Sequence, residues 1–113
     1  VVDTKSGKTT TLAGNGTKGF AGDGGPAKDA KFDQAYHVAV DPKGENLYVC
    51  DLGNRRIRVI DLAKGTIKTI AGNGERGAPK DGDDPTKAPL VDPRAVEVDK
   101  AGRIWILERG GHA

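Results

Sequence analysis

The chain has 113 residues, enough for one small domain with one modest core. Lys and Arg number 18 against 16 Asp and Glu, a near-balance that supplies no broad field for nucleic acid or an anionic membrane surface. No apolar run approaches the roughly 20 residues of a membrane helix. One cysteine, Cys50, excludes an intrachain disulfide.

The first stretch, "VVDTKSGKTTTLAGNG" (1–16), returns as "VIDLAKGTIKTIAGNG" (59–74). Residues 1–13 therefore read as the second half of a repeating unit. A glycine-rich segment follows over 14–35, with a short helical turn at "GPAKDAKF". Residues 36–71 read as a complete unit of four strands. Val38 and Val40 alternate before the turn "PKGEN"; "LYVC" (47–50) is a β-branched and aromatic run. "DLGN" (51–54) makes a turn, with Gly53 and Asn54 available for positive φ. "RIRVID" (56–61) and "TIKTIAG" (66–72) alternate around the turn "LAKG". A second glycine-rich loop spans 72–92. "AVEVDKAGRIWILERGG" (95–111) then repeats "HVAVDPKGENLYVCDLGN" (37–54) with one residue dropped. Residues 94–108 thus read as the first half of another unit. Four short antiparallel strands repeated at about 57 residues describe a propeller blade, so the expected class is all-β.

"DLGNRRIRVID" with "GTIKTIAGNG", and "GFAGDGGPAKDAKF" with "HVAVDPKGENLYVCD", closely resemble the long bacterial form of the NHL repeat. The resemblance covers essentially the whole chain. It implies a β-propeller, most often of six blades, whose long loops pack between blades with Phe32 and Leu90 as anchors. It also suggests a bacterial extracytoplasmic setting. One departure is visible: Glu108 and Gly111 stand where the first copy has Asp51 and Asn54.

The candidate sites are few. Asp51, Asn54 and Arg56 flank a tight turn and suit a structural Asp51–Arg56 ion pair closed by Asn54. Arg55, Arg56 and Arg58 form a basic cluster, read as a solvated strand edge or as ion-pair partners. Trp105 aligns with Tyr48 and reads as core filling between blades, and Cys50 as a small buried strand residue. The "AGNG" turns read as structural, since no helix follows them to hold a phosphate. Asp81, Asp83 and Asp84 are the acidic group from which calcium binding would start, although a dedicated calcium site needs six to eight oxygens. His37 begins the innermost strand of its blade, where its repeat partner is Ala95. Zinc needs three or four ligands, and the chain offers His37 and His112.

These residues point to a non-catalytic binding or scaffold module without a cofactor. Its expected partners are copies of itself, joined head to tail as a trimer of six blades, and an unidentified protein or small-molecule ligand. Nucleic acid and membrane are not expected. Three other readings stand beside it, the first two of them implied by the resemblance. One is a metal-dependent enzyme with a channel histidine site, similar to peptide-amidating lyases. The second is an RNA-binding NHL propeller, and the third an excised or engineered fragment without activity.

Overall fold

The computed structural model describes residues 1–110; His112, a candidate zinc ligand, and Gly111 lie outside the described residues. Four strands pair in sequence order as one antiparallel sheet: β1 (Ala35–Val40), β2 (Asn46–Asp51), β3 (Arg56–Asp61) and β4 (Thr66–Ala71). A second antiparallel pair follows, β5 (Pro93–Val98) with β6 (Ile104–Glu108). The expected all-β class built from four-stranded antiparallel units is borne out.

Both faces of the four-stranded sheet are used, because the period of two sends apolar residues each way. Val49, Ile60 and Ile67 face one side and pack with Ala27 and Ala30 of the preceding loop, with Phe32 against them. Cys50, Ile57 and Ala71 face the other side and pack with Leu90 and Val96. The second core is therefore shared between the complete sheet and the β5–β6 pair. β1 and β5 stand side by side. Residues 1–10 fold back as a short hairpin, with Val2 bridging Thr9 and the Thr10 N–H donating to the Val1 carbonyl at 2.8 Å.

The long loops repeat as faithfully as the strands. The Gly14 N–H reaches the Ala27 carbonyl at 2.9 Å, and the Gly72 N–H reaches the Pro85 carbonyl at 2.8 Å. Lys18 bridges Phe32 as Arg76 bridges Leu90. Gly72 has a φ of 90°, and a Cβ there would lie 2.1 Å from the Arg55 carbonyl oxygen, so only glycine fits. The first loop also shields an open edge. Gly24 donates to Ile67 at 2.7 Å, Ile67 donates to Gly25 at 3.1 Å, and Ala27 donates to Gly65 at 2.7 Å. These bonds lay residues 24–27 along β4 and satisfy groups that would otherwise template foreign strands.

Two expectations need correction. The positive φ at the 51–54 turn belongs to Arg55, at 50°, and not to Gly53 or Asn54. Leu52–Asn54 forms a 3-10 turn closed by the Arg55 N–H on the Leu52 carbonyl at 3.0 Å, which moves the reversal one residue on. Gly53 is required for another reason: a Cβ there would stand 2.4 Å from the Asp33 carboxyl carbon. Trp105 does not fill a core. It is 58% exposed, whereas Tyr48 packs against the core shared with β5. The face of β2 that carries Tyr48 is covered by β5 and β6; among the described residues nothing covers the corresponding face of β6.

Trp105 instead spans its own hairpin. Its Nε1–H donates to Asp99 Oδ2 at 2.9 Å, and Arg103 Nε donates to the same oxygen at 2.7 Å. The indole N–H bond, then the Arg103 backbone N–H, hold the Asp99 carboxyl below its ordinary value of 3.8. A depressed carboxylate adds stability above its unfolded pKa and loses it as pH falls through the folded one. The Trp105 indole N–H resonance should therefore shift on acidification with a midpoint below 3.8, and Asp99→Asn should abolish that step. A midpoint at or above this value would show that the bond does not form.

Candidate functional site

The chemistry-bearing side chains converge where the 14–34 loop meets β2 and β3. Alternation on β3 turns Arg58 and Ile60 toward that loop. Arg58 has no exposed surface, and each of its five N–H groups has an acceptor. Nη1 donates to the Lys31 carbonyl at 2.6 Å and to Asp51 Oδ2 at 3.4 Å. Nη2 donates to the Ala21 carbonyl at 2.8 Å and to Asp23 Oδ1 at 2.9 Å. Nε donates to Asp23 Oδ1 at 3.2 Å. The guanidinium also lies 5.0 Å and 4.8 Å from the ring centres of Phe20 and Phe32, within cation–π reach. Thr69 Oγ1 donates to the other Asp23 oxygen.

Asp51 is the fully buried counter-charge. Its Oδ1 accepts the Asp33 N–H at 2.8 Å, and its Oδ2 accepts Asn54 Nδ2 at 2.8 Å. Asn54 Nδ2 also donates to the Gly19 carbonyl at 2.9 Å. Burial pushes the Asp51 carboxyl above its ordinary value, and the bonds from Asn54 and Asp33 and the Arg58 charge oppose that rise.

The expected Asp51–Arg56 ion pair is not formed. Asp51 and Arg56 are direct cross-strand partners, yet the carboxylate reaches diagonally to Arg58. The buried cation has no water to turn to, so its unpaired state would cost more than that of Arg56. Arg56 stacks on Phe20 at 3.8 Å and donates from Nη2 to the Asn73 carbonyl at 2.9 Å. Arg55 donates from Nε to the Val91 carbonyl at 3.3 Å. The basic cluster is thus no solvated edge. Its three members divide among one core and two loop contacts.

Glu108, read from sequence as a departure, does the work of its counterpart. Its Oε1 accepts the Val91 N–H at 2.7 Å and the Asp92 N–H at 3.1 Å. Val91 holds the place in the second loop that Asp33 holds in the first. A carboxylate at the end of the second strand catches a loop N–H in both copies.

The metal candidates are scattered. His37 is half-buried, and its Nδ1 accepts the Val96 N–H at 3.3 Å, which links β1 to β5. Asp83 accepts the Lys80 N–H, and Asp84 accepts the Thr86 N–H and hydroxyl. Asp81, Asp83 and Asp84 are all exposed. Among the described residues no three His, Cys, Asp or Glu gather as a metal-binding group. Asn15 and Asn73 of the two "AGNG" turns each accept the N–H two residues on, at 2.8 Å and 2.9 Å. Cys50 is buried, and burial pushes its thiol up to about 11.

Comparison with known proteins supports the architecture. No family model matches the chain. Chicken teneurin-1 is 35% identical over 86 residues, covering 65% of this chain and 3% of its own length. Mouse teneurin-3 is 30% identical over 116 residues, covering 91% of this chain and 4% of its own. The chloroplastic protein SUPPRESSOR OF QUENCHING 1 of Arabidopsis thaliana is 34% identical over 67 residues, covering 59% of this chain and 6% of its own. Two crystal structures from Bacteroides thetaiotaomicron superpose. A structural genomics protein of unknown function gives a TM-score of 0.74 at 28% identity, covering 88% of this chain and 24% of that one. An auxiliary nutrient binding protein gives 0.69 at 25% identity, covering 96% and 28%. The fold is that of β-propeller blades. The chain spans at most 6% of those curated relatives and about a quarter of the solved structures.

Two measurements test the site. Both Asp51 oxygens accept, so the Asp51→Asn amide must turn its N–H groups toward existing donors; a loss of roughly 2–3 kcal/mol in denaturant unfolding is expected. An unchanged midpoint would make the network decoration. Cys50 in the native protein should react with a thiol reagent at pH 8 on the order of a hundredfold more slowly than in denaturant, since burial and the raised pKa both suppress the thiolate. Equal rates would place the thiol at the surface.

Proposed function

We propose that this chain is a propeller segment of the NHL type that serves as a non-catalytic binding or scaffolding module. One observation carries this reading. The side chains capable of chemistry are spent on holding loops to blades. Arg58 commits five N–H groups, Asp51 commits both oxygens, and His37 commits Nδ1 to the neighbouring strand. A residue engaged in this way supports a surface. The ligand surface is then one rim of the blades, where the inter-strand turns and the long loops emerge. The similarity to an auxiliary nutrient binding protein fits a small-molecule ligand at such a rim.

The rival is a metal enzyme built on His37. Purified chain incubated with zinc and desalted should retain no stoichiometric metal, and EDTA should leave its melting temperature unchanged. One retained zinc per chain, lost in His37→Ala, would overturn the scaffold reading. Metal bound only to the native state would also raise the melting temperature.

A further inference from the structure

The two "AGNG" turns carry the same chemistry, and the fold holds them differently. Asn15 precedes Gly16, and Asn73 precedes Gly74. An asparagine before glycine can close on its own backbone. The glycine N–H gives its proton to solvent, and the nitrogen bonds to the asparagine Cγ. The side-chain nitrogen takes up a proton from solvent and leaves as ammonia. Water then opens the five-membered succinimide at either carbonyl, giving aspartate or isoaspartate. Glycine favours the closure because it has no Cβ to crowd the approach.

Both side chains are held by their oxygen. Asn15 Oδ1 accepts the Thr17 N–H at 2.8 Å, and Asn73 Oδ1 accepts the Glu75 N–H at 2.9 Å. A donor on that oxygen stabilises the negative charge it gathers as the ring closes. The side-chain nitrogens differ. Asn73 Nδ2 donates to the Lys87 carbonyl at 2.9 Å. Asp29 is the repeat counterpart of Lys87 and lies within the first loop. Asn15 meets that stretch through its backbone instead, its N–H donating to the Ala30 carbonyl at 3.0 Å. Among the described residues Asn15 Nδ2, which carries two donors, has no acceptor. Asn73 is also held from its other side. Arg56 Nη2 donates to its carbonyl at 2.9 Å, and a Cβ on Gly74 would lie 2.9 Å from the same guanidinium. That peptide cannot turn its nitrogen onto Cγ without breaking these contacts.

We propose that Asn15 is a site of spontaneous deamidation in the native protein and that the fold protects Asn73. Aspartate at this position keeps an acceptor for the Thr17 N–H. Isoaspartate inserts a methylene into the backbone between the bond to Ala30 and the Thr17 turn, and so loosens the entry of the loop that walls the first core. The inference concerns the loops alone and holds whatever ligand the blades bind.

Purified chain aged at mildly alkaline pH tests it. Peptide mapping by mass spectrometry, with digestion below neutral pH, counts the acid formed at each asparagine. In the native protein Asn15 should convert roughly fivefold faster than Asn73, the factor that one net hydrogen bond supplies. In guanidinium the two rates should converge, because Ala-Gly precedes and Gly follows each asparagine. Equal native rates, or a faster Asn73, would overturn the proposal. A ratio that persisted in guanidinium would overturn it as well, since the cause would then be Thr17 against Glu75 and not the fold.

Discussion

A guanidinium with no exposed surface must be neutralised where it stands, and Arg58 sets that requirement for the whole chain. Two carboxylates, two carbonyls and two aromatic rings answer it, and most of them lie in the 14–34 loop. The loop is long, glycine-rich and poor in regular structure. Ordering such a loop carries a large entropic cost that its anchoring contacts must offset. Anchored on one buried cation from β3, it becomes a wall of the first core. Ala27 and Ala30 then pack on Val49 and Ile60 with no exposed surface of their own.

The anchoring also explains the glycines. Asp23 meets Arg58 and Thr69 only if the chain turns sharply on either side of it. Gly22 has a φ of 101°, and a Cβ there would lie 2.7 Å from the Ala30 backbone. The tight approach and the left-handed backbone both demand glycine. The composition that first suggests a flexible loop thus encodes close packing of one backbone on another.

Much of this was legible in the sequence. The period gave the repeat, alternation gave the strands, and β3 falls on residues 56–61, the span of "RIRVID". What alternation could not assign was the partner of Asp51. Arg56 and Arg58 lie on the same face of β3, and the sequence does not say which of them is dry. The decisive group, Asp23, stands 35 residues from Arg58, and no local pattern links them. His37 was equally opaque, because its partner is a backbone N–H on β5, 59 residues away. Pattern reading reaches neighbours on a strand; it does not reach a loop folded back from elsewhere.

Glu108 shows what the fold holds constant. Compared with Asp51 it adds a methylene, and compared with the first copy it lacks an arginine partner among the described residues. Residue identity has drifted, and one function has stayed: an anionic oxygen at the end of the second strand accepts an N–H from the incoming loop. A backbone N–H survives every substitution except proline, so a carboxylate of either length satisfies the same donor. A blade is then defined less by its sequence motif than by this fixed exchange between strand end and loop. The exchange holds every loop to its own blade and leaves the blade faces free to meet their neighbours.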